Sequence, residues 1–116
     1  LEGIKTFLGS AVDHPMRARV AKVQLRDRPD LEDFSEALRR VTKVWSSEGE
    51  AERALSRVLA QYGLQESYRQ QSPHARGQDW QEWHLETDDG EPVQEHLNVF
   101  HRPFPRPGWT SFQVSM

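Results

Sequence analysis

A chain of 116 residues with 15 basic and 18 acidic side chains, a net charge of −3 and no cysteine has room for one domain, residues 1–116. Disulfides, thiolate zinc centres and cysteine nucleophiles are excluded. No apolar run approaches the ~18 residues of a membrane span, and the N-terminus lacks the basic-then-apolar opening of a signal peptide, so the cytoplasm or another reducing compartment is expected, with no membrane partner.

Taken in order, Leu1, Ile4, Leu8, Ala11 and Val12 share one helical face, which predicts a helix over 1–12. Asp13-His14-Pro15 ends it, because the residue before proline is driven out of the helical region. Residues 16–26 alternate and read as a strand or extended segment. Asp30 is placed to cap the next helix, with Glu32 and Asp33 in its first turn, where the helix dipole favours acids. Leu31, Phe34, Leu38, Val41 and Trp45 recur at three- and four-residue spacing and set its apolar stripe. A further helix opens at Ser47, with Glu50 at capping-box spacing. It carries Ala51, Leu55, Val58, Leu59 and Tyr62 inward and stops at Gly63.

After Gly63 the apolar period falls from about 3.6 to 2. Strands are predicted over 64–70, 79–87, 92–102 and 109–116. A loop through Ser72-Pro73-His74 follows the first, and an Asp88-Asp89-Gly90-Glu91 hairpin turn, where Asp-Gly supplies positive φ, follows the second. A proline-rich link over 103–108 precedes the last. In the first strand Leu64, Glu66 and Tyr68 fall on one row. Helices first and strands afterwards argue an α+β fold: N-terminal helices (1–63) packed on one face of a roughly four-stranded antiparallel sheet, a meander over 64–116.

Alternation sorts the strand residues into two rows. Trp83 and Leu85; Val93, Leu97 and Val99, with Glu95 and His101; and Thr110, Phe112, Val114 and Met116 form the apolar row, expected under the helices. The other row collects Glu82, His84, Glu86, His96, Asn98, Arg102, Ser111 and Gln113, framed by Trp80, Phe100 and Trp109. An antiparallel sheet often carries one solvated polar face, but solvated strands seldom combine two histidines, an arginine and three large aromatics.

Two functions compete for that face. The first is a macromolecule-binding module, such as a regulator, an inhibitor or immunity-type protein, or an assembly subunit. Trp80, Phe100, Arg102 and Trp109 would anchor it, extended by Phe104 and Arg106, since tryptophan and arginine dominate binding hot spots. Another protein is the expected partner, and a homodimer through the same face belongs to this class. The second is a metal-independent endoribonuclease. Glu82 or His84 would be its base, His96 or His101 its acid, Arg102 the cation for the developing phosphorane charge, and Trp80 or Trp109 a stacking platform. The layout is broadly similar to ribonuclease toxins of the barnase, colicin and RelE group, in order of elements alone and with no shared motif.

RNA as a partner would draw on the basic stretch Arg17, Arg19, Lys22, Arg26 and Arg28, opposed there only by Asp27, through phosphate contacts. A solvated face is the simpler reading of that stretch, since nucleic-acid-binding domains are basic overall. His84-Leu85-Glu86 with His96 forms the donor set of a two-histidine, one-carboxylate centre. Such two-residue spacing is common by chance, so neither a metal nor a cofactor is expected. The glycines form no phosphate loop or dinucleotide fingerprint, and neither a G-x-S-x-G elbow nor an H-E-x-x-H motif occurs.

Overall fold

The computed structural model describes residues 23–71 and 79–116. The predicted helix over 1–12, its end at His14, the candidate contacts Arg17, Arg19 and Lys22, and the loop around His74 lie outside the described residues. Chain order is a single 3-10 turn (Leu25–Asp27), α1 (Leu31–Val41), β1 (Lys43–Trp45), α2 (Glu48–Gln61), β2 (Leu64–Gln71), β3 (Asp79–Thr87), β4 (Pro92–Pro103) and β5 (Thr110–Ser115). The sheet is antiparallel throughout, in the order β1-β5-β4-β3-β2. It therefore has five strands where the sequence reads roughly four.

The additional strand has a local cause. The 3.6-residue stripe from Leu31 suggests that α1 runs to Trp45, but the helix ends at Val41. The Thr42 hydroxyl donates to the Leu38 carbonyl at 3.1 Å and accepts the Val114 amide at 3.1 Å. One side chain thus satisfies a free carbonyl at the helix end and joins the following residues to β5. Lys43–Trp45 then pairs with Phe112–Thr110. Trp45 still packs against the core, its indole N–H donating to the Val41 carbonyl at 2.9 Å, so both conformations satisfy the same apolar spacing.

The two helices cover one face of the sheet. α1 buries Phe34, Ala37, Leu38 and Val41, and α2 buries Ala51, Ala54, Leu55 and Leu59. They pack over Trp83, Leu97, Val99 and Phe112, each fully buried. The expected apolar row is thus the covered row. Ser47 caps α2 by accepting the Glu50 amide at 3.1 Å. Gly63, at φ 71°, takes the left-handed turn that ends it. Asp30 stands at the start of α1, but its carboxylate accepts from Arg28 (both contacts 3.1 Å) instead of capping the helix.

The β3–β4 hairpin turns at Gly90, at φ 90°, as the Asp-Gly signal predicts. β5 covers only Asn98–Pro103 of β4. Beside the uncovered start of β4, Val23 forms a parallel bridge to Val93. Glu95 accepts the amides of Leu25 (2.7 Å) and Arg26 (3.2 Å) there. The described end of the basic stretch is therefore fastened to the start of β4, with Arg28 paired to Asp30. Among the described residues no helix is long and apolar enough to cross a membrane.

Candidate functional site on the uncovered sheet face

Register fixes the neighbours on the face that the helices leave open. Across β3 and β4, Trp80 stands opposite Phe100, Glu82 opposite Asn98, and His84 opposite His96. Across β4 and β5, Phe100 faces Gln113, Arg102 faces Ser111, and Asn98 faces Ser115. Residues two apart on one strand share a face and directly opposed residues are cross-strand neighbours. These groups therefore form one continuous surface.

At one end of that surface the Glu82 carboxylate stands between two imidazoles. Its Oε1 lies 3.4 Å from His84 Nε2 and its Oε2 4.0 Å from His96 Nε2. The two rings are 5.2 Å apart and tilted by 35°. One donor atom from each of the three residues lies within 4.8 Å of the others. His84 Nε2 is shielded from solvent and has no hydrogen-bond partner; the nearby carboxylate is close but not aligned for one. Burial pushes the His84 pKa down and the neighbouring His96 adds to this, outweighing the upward pull of Glu82, so the net shift is downward. The neutral ring, with a lone pair on one nitrogen, is favoured at neutral pH.

The middle of the face is a cleft of about 460 Å³ lined by Trp80, Asn98, Phe100, Arg102, Gln113 and Ser115, and also by Thr42 and Val114. Trp80 and Phe100 meet at 5.9 Å between ring centroids. The Arg102 guanidinium lies 5.2 Å from the Phe100 ring centre and pairs with no carboxylate among the described residues. The Trp80 indole N–H is a buried donor without an acceptor. From Asn98, beside Glu82, to Arg102 is four strand residues, roughly 13 Å at the usual rise. The histidine cluster and the arginine thus occupy different ends of the face. Beyond them, the β4–β5 loop exposes Phe104 and holds Trp109 under the Arg106 guanidinium at 5.0 Å.

Two placements and one candidate role differ from the sequence reading. Glu86 is not the carboxylate that joins the histidines. A register shift separates it from His84, it stands opposite Pro92, and it accepts from Gln65 at 2.6 Å. His101 lies in the covered row, as alternation places it, and at 5% exposure under the helices it cannot act as the acid of the open face. Tyr68 leaves the row of Leu64: an irregularity between Glu66 and Tyr68 sets it opposite His84, where the rings stack in parallel at 4.3 Å. The Ser67 hydroxyl donates to the His84 carbonyl at this bulge. Strict alternation hides a bulge, because one extra residue reverses the facing of those that follow.

A polar cluster on the covered face was also hidden. His101 contacts Glu52 at 3.0 Å through Nε2 and Thr110 at 3.3 Å through Nδ1. Glu52 accepts from Arg69 at 2.9 Å. The Arg69 guanidinium lies 4.0 Å from the Trp83 ring centre and also pairs with Glu66. Burial would lower the Arg69 pKa, but the hydrogen bonds and charges of Glu66 and Glu52 outweigh it and raise it. The residues come from α2, β2, β4 and β5, so no local spacing announces them.

No protein-family model, no curated protein and no solved structure matches this chain.

Proposed function

We propose that this domain is a binding module that holds an extended segment of a partner protein against the open face of its sheet. The observation that supports it is the cleft lined by Trp80, Phe100 and Arg102 together with Asn98 and Gln113. Aromatic and arginine anchors set around a recess are the composition of interface hot spots. Arg102, stacked on Phe100 and without a carboxylate partner among the described residues, fits an acidic group on the segment. The Trp80–Phe100 wall fits an adjacent apolar or aromatic side chain. Asn98 and Gln113 offer amides to an extended backbone. The net negative charge of the chain favours a protein segment over a nucleic acid.

The test is selection of peptides from a displayed library against the pure domain, followed by titration of the selected peptide by fluorescence anisotropy. Trp80→Ala and Arg102→Ala should each weaken binding at least about tenfold, as hot-spot truncations do, while Gln65→Ala leaves it unchanged. Selected peptides that bind all variants alike would overturn the reading. So would displacement of the peptide by single-stranded RNA, or a domain dimer that Trp80→Ala dissociates.

A second reading, the metal-independent endoribonuclease, draws on Glu82 between His84 and His96 as an acid–base group. It needs a cation at the reacting phosphate, and Arg102 stands at the opposite end of the cleft. Cleavage of labelled RNA in excess chelator, lost in both His96→Ala and Arg102→Ala, would put this reading first.

A further inference from the structure

We infer that Glu82, His84 and His96 bind one divalent transition-metal ion, with zinc the reference ion for the donor set. This inference does not depend on the peptide-binding reading. Two imidazoles and one carboxylate suit zinc, cobalt, nickel and ferrous iron, whereas magnesium and calcium take oxygen donors.

The distances carry the argument first. Two donors about 2.1 Å from one ion in a tetrahedral arrangement are themselves about 3.4 Å apart. The His84 Nε2 to Glu82 Oε1 separation is already 3.4 Å, that from His96 Nε2 to Glu82 Oε2 is 4.0 Å, and the full set spans at most 4.8 Å. Small side-chain rotations therefore complete the set without moving a strand.

Hydrogen bonding carries it second. A buried polar atom without a partner is uncommon in a folded protein and calls for an explanation. His84 Nε2 is such an atom, and it stands 3.4 Å from the Glu82 carboxylate. The covered face supplies the contrast. His101 engages Thr110 and Glu52 through its two ring nitrogens, so it could ligate only by breaking a buried contact. His84 has an unused nitrogen, and Tyr68 stacked on its ring limits the freedom it would lose on binding.

The fold carries it third. His84 and His96 are direct cross-strand partners, and Glu82 is two residues along the same strand as His84, so the sheet sets all three on one surface. Three protein ligands leave further coordination positions for water or a ligand. The neighbouring cleft begins at Asn98, directly opposite Glu82.

The test uses the full chain stripped with chelator and then titrated with Zn²⁺ by calorimetry and with Co²⁺ by visible absorption. The expected result is one ion per chain, d–d bands with Co²⁺, and a raised Tm with Zn²⁺. Loss of a residue that merely supports a ligand costs about 10- to 100-fold in affinity, so His84→Ala and His96→Ala should each cost at least about 100-fold. Glu82→Gln should weaken binding and alter the Co²⁺ spectrum. His14→Ala and His74→Ala, which remove histidines outside the set, should change nothing. Glu82→Gln is isosteric and His96 is partly exposed, so these two carry the test should His84→Ala fail to fold. Affinity no tighter than millimolar would overturn the inference. So would binding that survives in both Glu82→Gln and His96→Ala, or that is lost in His14→Ala or His74→Ala.

Discussion

The sheet carries a histidine–glutamate pair on each face, and the two pairs are built differently. Under the helices, His101 engages Glu52 and Thr110 through its two nitrogens, and Glu52 is held in turn by Arg69. On the open face, His84 approaches Glu82 at 3.4 Å without a hydrogen bond, and its Nε2 has no partner. The same residue types therefore serve two ends. A satisfied network fixes how α2 lies on the sheet, because polar groups under a helix cost stability unless they are bonded. On the metal-site inference, the unsatisfied one keeps its donor atoms available for an ion. A perturbed, incompletely bonded ionisable group beside a cleft marks a functional site more often than a fully bonded one does.

The comparison can be broken most forcefully at the tryptophans. Trp83, fully buried under the helices, should cost about 3–5 kcal/mol when changed to Ala, as large core truncations do. Trp80→Ala on the open face should cost well under half as much while weakening peptide binding. Urea unfolding of both variants checks this. Next, Arg69→Ala removes the cation stacked on Trp83, strands Glu66 and leaves Glu52 with His101 alone. About 1–2 kcal/mol should be lost, whereas Arg102→Ala should leave the urea midpoint nearly unchanged. Ser47→Ala removes the cap of α2 and should cost about 1 kcal/mol, which thermal unfolding would detect.

The smallest effect sharpens the picture through pH. Burial alone would raise the Glu95 pKa, but the amides of Leu25 and Arg26 outweigh it and hold it below the ordinary value of 4.5. A carboxylate with a lowered folded-state pKa contributes stability that is complete above its unfolded value and is lost as pH falls through the folded one. Between neutral pH and pH 4.5 its contribution should therefore stay nearly constant, and below that it should fade. Glu95→Gln should flatten the acid limb of the stability curve by less than about 1 kcal/mol, since the carboxylate is only partly shielded.

What the sequence made legible follows from the range of the forces involved. The helical stripe Phe34–Leu38–Val41, the Ser47 cap, and the turns at Gly63 and Gly90 are set by residues within one or two turns of each other. The alternation Trp83–Leu85 and Leu97–Val99 likewise identified the covered face, and with it the shared surface of Trp80, Glu82, His84, His96 and Phe100. The misplacements arose where distant residues decide. β1 exists because Thr42 and its neighbours meet β5, some 70 residues away. Tyr68 reaches His84 through a bulge that alternation cannot register. Glu82 rather than Glu86 joins the histidines because the register shifts between His84 and Glu86. The His101–Glu52–Arg69 network joins β4, α2 and β2, so each of its contacts exists only once two separate elements meet.

The most direct test of the contrast between the two faces is the unfolding free energy of His84→Ala measured beside that of His101→Ala, in metal-free buffer at neutral pH. If His101 is structural and His84 is reserved for a ligand, His101→Ala should lose at least about 2 kcal/mol by emptying a buried site and taking one partner each from Glu52 and Thr110. His84→Ala should then change stability by no more than about 1 kcal/mol, since it breaks no hydrogen bond of its Nε2. Equal losses, or a larger loss for His84→Ala, would show that the open-face histidine is structural as well and would contradict the division proposed here.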